Sequence, residues 1–156
     1  MNLFDFELAG LPLHPLLVHA TVVLTPLTAL ALAVAALWPA ARRRMGLALP
    51  IAALIVAVLV PVTILAGESL ADLVGRTPAV SRHESLGIML LPWAVALLPA
   101  SVVVWWMGRP SPAASRRPRW VSVTVAAIAV AVAVVTLVLV VLTGDAGART
   151  VWEGTV

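Results

Sequence analysis

Four apolar runs alternate with short polar stretches along this chain. They cover about 15–38, 46–66, 85–106 and 120–142. A hydrocarbon core about 30 Å thick takes roughly 20 helical residues to cross, and each run reaches that length. The fourth is rich in valine and partly alternates, as in Val121-Ser-Val-Thr-Val125, so propensity alone would allow a strand. A lone strand in lipid leaves its backbone groups unpaired, whereas a helix pairs them all within the segment. The pattern therefore predicts an all-α, polytopic membrane protein: a compact bundle of four transmembrane helices forming one domain over 1–156.

Polar punctuation sets the connections. Glu68-Ser-Leu-Ala-Asp-Leu-Val74 carries the second helical pattern beyond the membrane edge, and Gly75 is a good stop. Thr77-Pro78 reads as an N-cap followed by proline at the first helical position. The second and third helices are thus expected to project as a tight hairpin that turns at Gly75-Arg76, with the third starting at 78 or, for the apolar span itself, at 85. Positions equidistant from such a turn lie level, which brings Glu68 and His83 to one height. Pro110, Pro112 and Pro118, mixed with serine and arginine, mark the third connection as a loop. The prolines at 26, 50, 61, 92 and 99 fall in or near the first three spans, where they bend helices. No internal repeat is evident in the residue types.

Composition agrees with the pattern. The chain is 62% hydrophobic, against about 45–50% apolar residues in soluble domains. It has no cysteine, which removes disulfides, thiolate metal sites and cysteine nucleophiles. The start, Met1-Asn-Leu-Phe-Asp-Phe-Glu7, is acidic where a secretory signal carries positive charge, so the first span is expected to be retained.

Charge adds an orientation. All ten basic residues are arginine, and seven of them fall in the first and third connections. All seven acids fall on the opposite side. The positive-inside rule then places the arginine loops in the cytoplasm and both termini outside, in a bacterial inner membrane. Trp38, Trp105, Trp106 and Trp120 mark the cytoplasmic ends as an aromatic belt. Arginines clustered by topology are not a nucleic-acid surface, so the partners expected are the bilayer and other membrane subunits.

The candidate chemistry lies at the outer end, where all three histidines and every acid converge. In Leu11-Pro-Leu-His-Pro-Leu-Leu-Val-His19, His14-Pro15 looks like a helix start. His19 then lies about 7 Å deeper, and five helical residues turn it roughly 140° away from His14. The two are expected to work with different helices rather than together. Thr21, Thr25 and Thr28 share one face and can bond across helices or back to the preceding turn.

Three uses fit these residues. In the first, His14, His19 and His83 are structural, capping helices and bonding carbonyls or carboxylates. In the second, they bind a cofactor, since neutral imidazole ligates haem iron and divalent metals. His19 and His83 are the expected axial pair, and Glu68, Asp72 and Asp145 orient an imidazole or handle protons. In the third, the same groups serve a proton or quinol reaction. Phosphate-loop, dinucleotide, metalloprotease and nucleophile-elbow motifs are all absent, which argues against an enzyme of those classes. Four short-looped spans without mid-membrane charge also argue against a transporter.

Gly10-Leu-Pro-Leu-His-Pro-Leu-Leu-Val-His19, Gly67-Glu68, His83-Glu-Ser-Leu-Gly87 with Leu91-Pro-Trp93, and Gly144-Asp-Ala-Gly-Ala148 with Val151-Trp152 resemble the pattern of one bacterial predicted-membrane-protein family. That family is catalogued as a domain of unknown function, number twenty-two thirty-one. The resemblance covers essentially the whole chain and implies a four-span inner-membrane protein with no established reaction. Relatives often carry histidine in the final glycine-rich motif, where this chain has Asp145. Any ligand set implied by the family must then come from His14, His19 and His83. The reading that follows is a membrane protein whose outer histidine and carboxylate cluster holds haem or a metal ion for electron transfer. The alternative is a non-catalytic accessory or assembly subunit of a larger membrane complex.

Overall fold

The computed structural model describes residues 7–8, 11–110 and 118–152. A two-residue antiparallel ladder pairs β1 (Glu7–Leu8) with β2 (Leu11–Pro12). Five helices follow: α1 (Leu13–Leu37), α2 (Pro39–Met45), α3 (Ala48–Val74), α4 (Pro78–Met107) and α5 (Arg119–Trp152). The four long helices are apolar and long enough to cross a membrane. Within their most apolar windows only 28–39% of residues are buried. Large side chains such as Leu27, Val58 and Val141 point outward, which only a lipid environment accommodates.

Local chemistry explains the boundaries. α1 stops at Leu37 because Pro39 disfavours helical geometry in the residue before it; Trp38 is extended, at φ −120° and ψ 103°. α3 ends at Gly75, whose φ of 89° is costly for any residue with a Cβ. Thr77 caps α4, its hydroxyl accepting from the Val80 N–H at 3.3 Å. The hairpin of α3 and α4 and its turn are thus as expected.

Three expectations need correction. The Arg42–Arg44 stretch is not a loop but the short helix α2. It is anchored by Arg42, whose Nε and Nη2 donate to the carbonyls of Ala35 and Ala36 at the end of α1, at 2.9 and 2.8 Å. Burial, and then the neighbouring charge of Arg43, lower the pKa of that guanidinium from its ordinary value. Second, α5 does not stop near 142. It runs on through Gly144 and Gly147 to Trp152, because packing against the N-terminal part of α4 outweighs the helix cost of two glycines. Third, α1 begins at Leu13, so His14 lies inside the helix and not ahead of it.

The core is built from small residues at close helix contacts. Ala29, Ala35, Ala53, Ala94 and Ala133 are fully buried among Leu32, Val56, Leu97 and Val104. α1 packs on α3 and α5, α4 packs on α3 and α5, and α1 meets α4 across the middle. Exchanging α1 with α4 and α3 with α5 maps this set of neighbours onto itself.

The burial pattern repeats in the same way. One constant register carries Thr21, Thr25, Thr28, Leu32 and Ala35 of α1 onto Leu90, Ala94, Leu97, Ser101 and Val104 of α4, and all ten are buried. A second constant register carries Leu49, Ala53, Val56, Val60 and Ala66 of α3 onto Ala129, Ala133, Thr136, Val140 and Ala146 of α5, again all buried. The bundle is an internal two-fold repeat of a helical hairpin. This corrects the expectation of no internal repeat: outside a few histidine, threonine and glycine positions, both halves are written in interchangeable apolar letters that hide it.

Candidate functional site

The first of these registers also carries His14 onto His83, and the second carries Thr63 onto Thr143 and Gly67 onto Gly147. Around these six residues the repeat becomes chemical. On α1, His14 Nδ1 lies 2.9 Å from the Thr63 carbonyl of α3. On α4, His83 Nδ1 lies 2.9 Å from the Thr143 carbonyl of α5. A carbonyl oxygen only accepts, so in both rings Nδ1 carries the proton and Nε2 keeps a lone pair.

Each imidazole rests on a glycine one turn beyond that carbonyl. A Cβ on Gly67 would stand 2.9 Å from His14 Cε1 and 3.0 Å from Nδ1. A Cβ on Gly147 would stand 3.0 and 3.1 Å from the same atoms of His83. Both glycines sit in the pattern Thr-x-x-Ala-Gly, as Thr63-Ile-Leu-Ala-Gly67 and Thr143-Gly-Asp-Ala-Gly147. Threonine presents the carbonyl, buried alanine seats the helix on its neighbour, and glycine makes room for the ring.

The hydroxyls of Thr63 and Thr143 donate back to Leu59 and Leu139 carbonyls at 2.8 and 2.7 Å. With the Thr63 proton used in this way, Thr21 is the donor in its 2.8 Å bond to Thr63 Oγ1. Its counterpart in the repeat is Leu90, so this strut exists in one half only. Thr25 and Thr28, on the same face, are buried as well, and among the described residues Thr25 Oγ1 has no hydrogen-bond partner.

The two rings meet at the centre of the repeat, 6.2 Å apart between centroids and at 80° to each other. Both line two cavities. The smaller, about 150 Å³, lies against α3 and α4 and is also lined by Glu68, Glu84 and Gly87. The larger, about 470 Å³, is strongly apolar and is also lined by His19, Val22, Leu90, Val140 and Val151. The rings thus border both a cavity with two carboxylates and a more apolar one.

Sequence reasoning expected His19 opposite His83; the structure brings His14 there instead. The expected divergence of about 140° between His14 and His19 turns His14 inward and leaves His19 exposed. His19 Nδ1 lies 2.6 Å from the Pro15 carbonyl. Glu68 lines the smaller cavity with His83, at one level as the hairpin argument requires. Asp72 is exposed and pairs with Arg76 at 3.2 Å. Asp145 is exposed and pairs with Arg149 at 2.9 Å. Neither aspartate lines the two cavities that the histidines share.

Glu84, Gly67 and Gly147 fall within motifs that carry the family resemblance, but their place in the site, like that of Thr63 and Thr143, is decided by the fold. The doubled Thr-x-x-Ala-Gly pattern is the signal in the sequence that links four of them. Among the described residues, no group of three or more histidine, cysteine, aspartate or glutamate side chains is set to enclose a metal ion.

No curated protein and no solved structure matches the chain. A family profile described as "Predicted membrane protein" (DUF2231) matches residues 10–156. With four apolar helices of spanning length and a match over nearly all of its residues, the chain belongs to this family of multi-pass membrane proteins.

Proposed function

We propose that this protein binds a haem b between His14 and His83 and uses it in electron transfer at the outer face of a bacterial inner membrane. The observation that carries the reading is the crossed imidazole pair with its tautomers set. Two imidazoles bonded to one ion through metal–nitrogen bonds of roughly 2 Å hold their ring centres about 6 Å apart, and the rings here are 6.2 Å apart. A backbone carbonyl on Nδ1–H is the usual outer partner of a ligating histidine, because it fixes the ring and leaves Nε2 as the donor atom.

The donor set favours haem over a bare cation. A structural zinc site takes four protein ligands, whereas haem iron takes one or two axial ones. Two cavities border the ring pair and offer space for a flat macrocycle, and bundles of four helices accommodate such groups between facing helices. When bound, the haem supplies a one-electron couple. His14 and His83 hold it, Gly67 and Gly147 let the rings seat, Glu68 edges the polar flank, and the apolar flank excludes water. The charge asymmetry of the loops supports an outside location for this end and for both termini. The whole chain works as a single four-span domain in this reading.

The test is an oxidised-minus-reduced visible spectrum of the detergent-purified protein from haem-replete cells. A stoichiometric Soret band is expected, lost in His14→Ala and in His83→Ala and retained in His19→Ala. A colourless wild-type preparation sinks the proposal. Reproducible co-purifying membrane subunits in that case would favour the accessory-subunit reading.

A further inference from the structure

His19 presents an imidazole on the outer surface of a membrane span. An ionisable side chain facing hydrocarbon is expensive and marks a ligand site or relay by default. Its Nδ1–H donates to the Pro15 carbonyl at 2.6 Å, so Nε2 is a lone-pair acceptor. Among the described residues no donor satisfies that atom. His19 also stands at the edge of the 470 Å³ cavity, whose exposed lining residues on α1 and α5 include Val22, Ala148 and Val151. That edge opens sideways, between two spans, towards lipid. Behind it the walls are apolar, with Val18, Leu90 and Val140.

A ligand that fits must arrive from the bilayer, be largely apolar, and offer a proton donor to one fixed acceptor. Phosphodiester lipids whose headgroups carry a hydroxyl or ammonium donor also bring an anionic phosphate, and no arginine or lysine lines this cavity to receive it. Oxidised quinones carry carbonyls, which only accept. We infer that the cavity mouth binds the head group of a lipid-soluble quinol, whose hydroxyl donates to His19 Nε2 while its isoprenoid tail leaves between α1 and α5. The inference stands on His19 and the cavity mouth; a haem held between His14 and His83 would share the inner walls of the same cavity, so the two proposals are tested separately. It assigns to His19 a role distinct from axial ligation and makes the reduced carrier the preferred form.

Anaerobic equilibrium dialysis of the full-length protein in detergent, against protein-free micelles, tests it with ubiquinol-1 and ubiquinone-1. The quinol is expected to bind roughly tenfold more tightly than the quinone, the worth of one hydrogen bond. His19→Phe keeps the bulk and removes the acceptor; it is expected to abolish that preference while quinone binding changes less than about twofold. Val22→Trp narrows the mouth and should weaken both forms. His19 and Val22 are exposed, so both variants should keep their helical circular dichroism. Binding no stronger than micelle partition, an undiminished preference in His19→Phe, or full binding in Val22→Trp overturns the inference. Absorbance of the same samples reports haem separately: quinol binding without a Soret band overturns the haem proposal alone.

Discussion

Gly67→Ala tests the ring cradle most directly. In an ordinary helix interior this change is favourable by roughly 0.5–1 kcal/mol, because alanine loses less backbone entropy. Here the new Cβ arrives 2.9 Å from His14 Cε1 and 3.0 Å from Nδ1. The ring must shift, and its bond to the Thr63 carbonyl lengthens or breaks. Losing that bond costs about 0.5–1.5 kcal/mol, with membrane measurements near the lower end. The helix gain and the bond loss therefore nearly cancel in stability, while the position of His14 is lost. Gly144→Ala is the matched control: it lies in α5, and a Cβ there meets nothing within 4 Å. It should raise stability by up to about 1 kcal/mol and, although it lines the larger cavity, leave both histidine rings seated. Thermal unfolding in detergent, followed by circular dichroism beside the Soret absorbance, reads both quantities. If Gly67→Ala stabilises as much as Gly144→Ala and keeps the site's absorbance, the cradle argument is wrong.

Three other outcomes are expected. Thr25→Val removes a buried hydroxyl that has no partner and should stabilise the bundle by about 1 kcal/mol, measured as a rise in Tm; a fall would mean that the hydroxyl is satisfied. Arg42→Ala strips the carbonyls of Ala35 and Ala36 of their donor and should cost about 1–2 kcal/mol in the same assay. Because the chain has no cysteine, Ser81→Cys and Arg44→Cys each introduce a single thiol; an impermeant maleimide added to intact cells should label the first and spare the second, and equal labelling would refute the proposed orientation.

Hydrophobic patterning determined the four spans, and their alternation determined which ends lie together. Both follow from the bilayer, which selects continuous helices of fixed length. The hairpin turn at Gly75 and the cap at Thr77 were legible because glycine and threonine act locally. The helix of Arg42–Arg44, the extension of α5 and the two-fold repeat were not. Each depends on contacts between distant segments, and apolar residues that bury equally well leave no distinct trace in residue type. The site divides in the same way. Sequence spacing showed that His14 and His19 diverge, since the turn per residue is a property of one helix. Only the tertiary structure decided which of them faces inward, because that depends on where α1 starts and on glycines supplied by α3 and α5. The imidazole further along α1 turned out to be exposed, and the one nearer its start to meet His83.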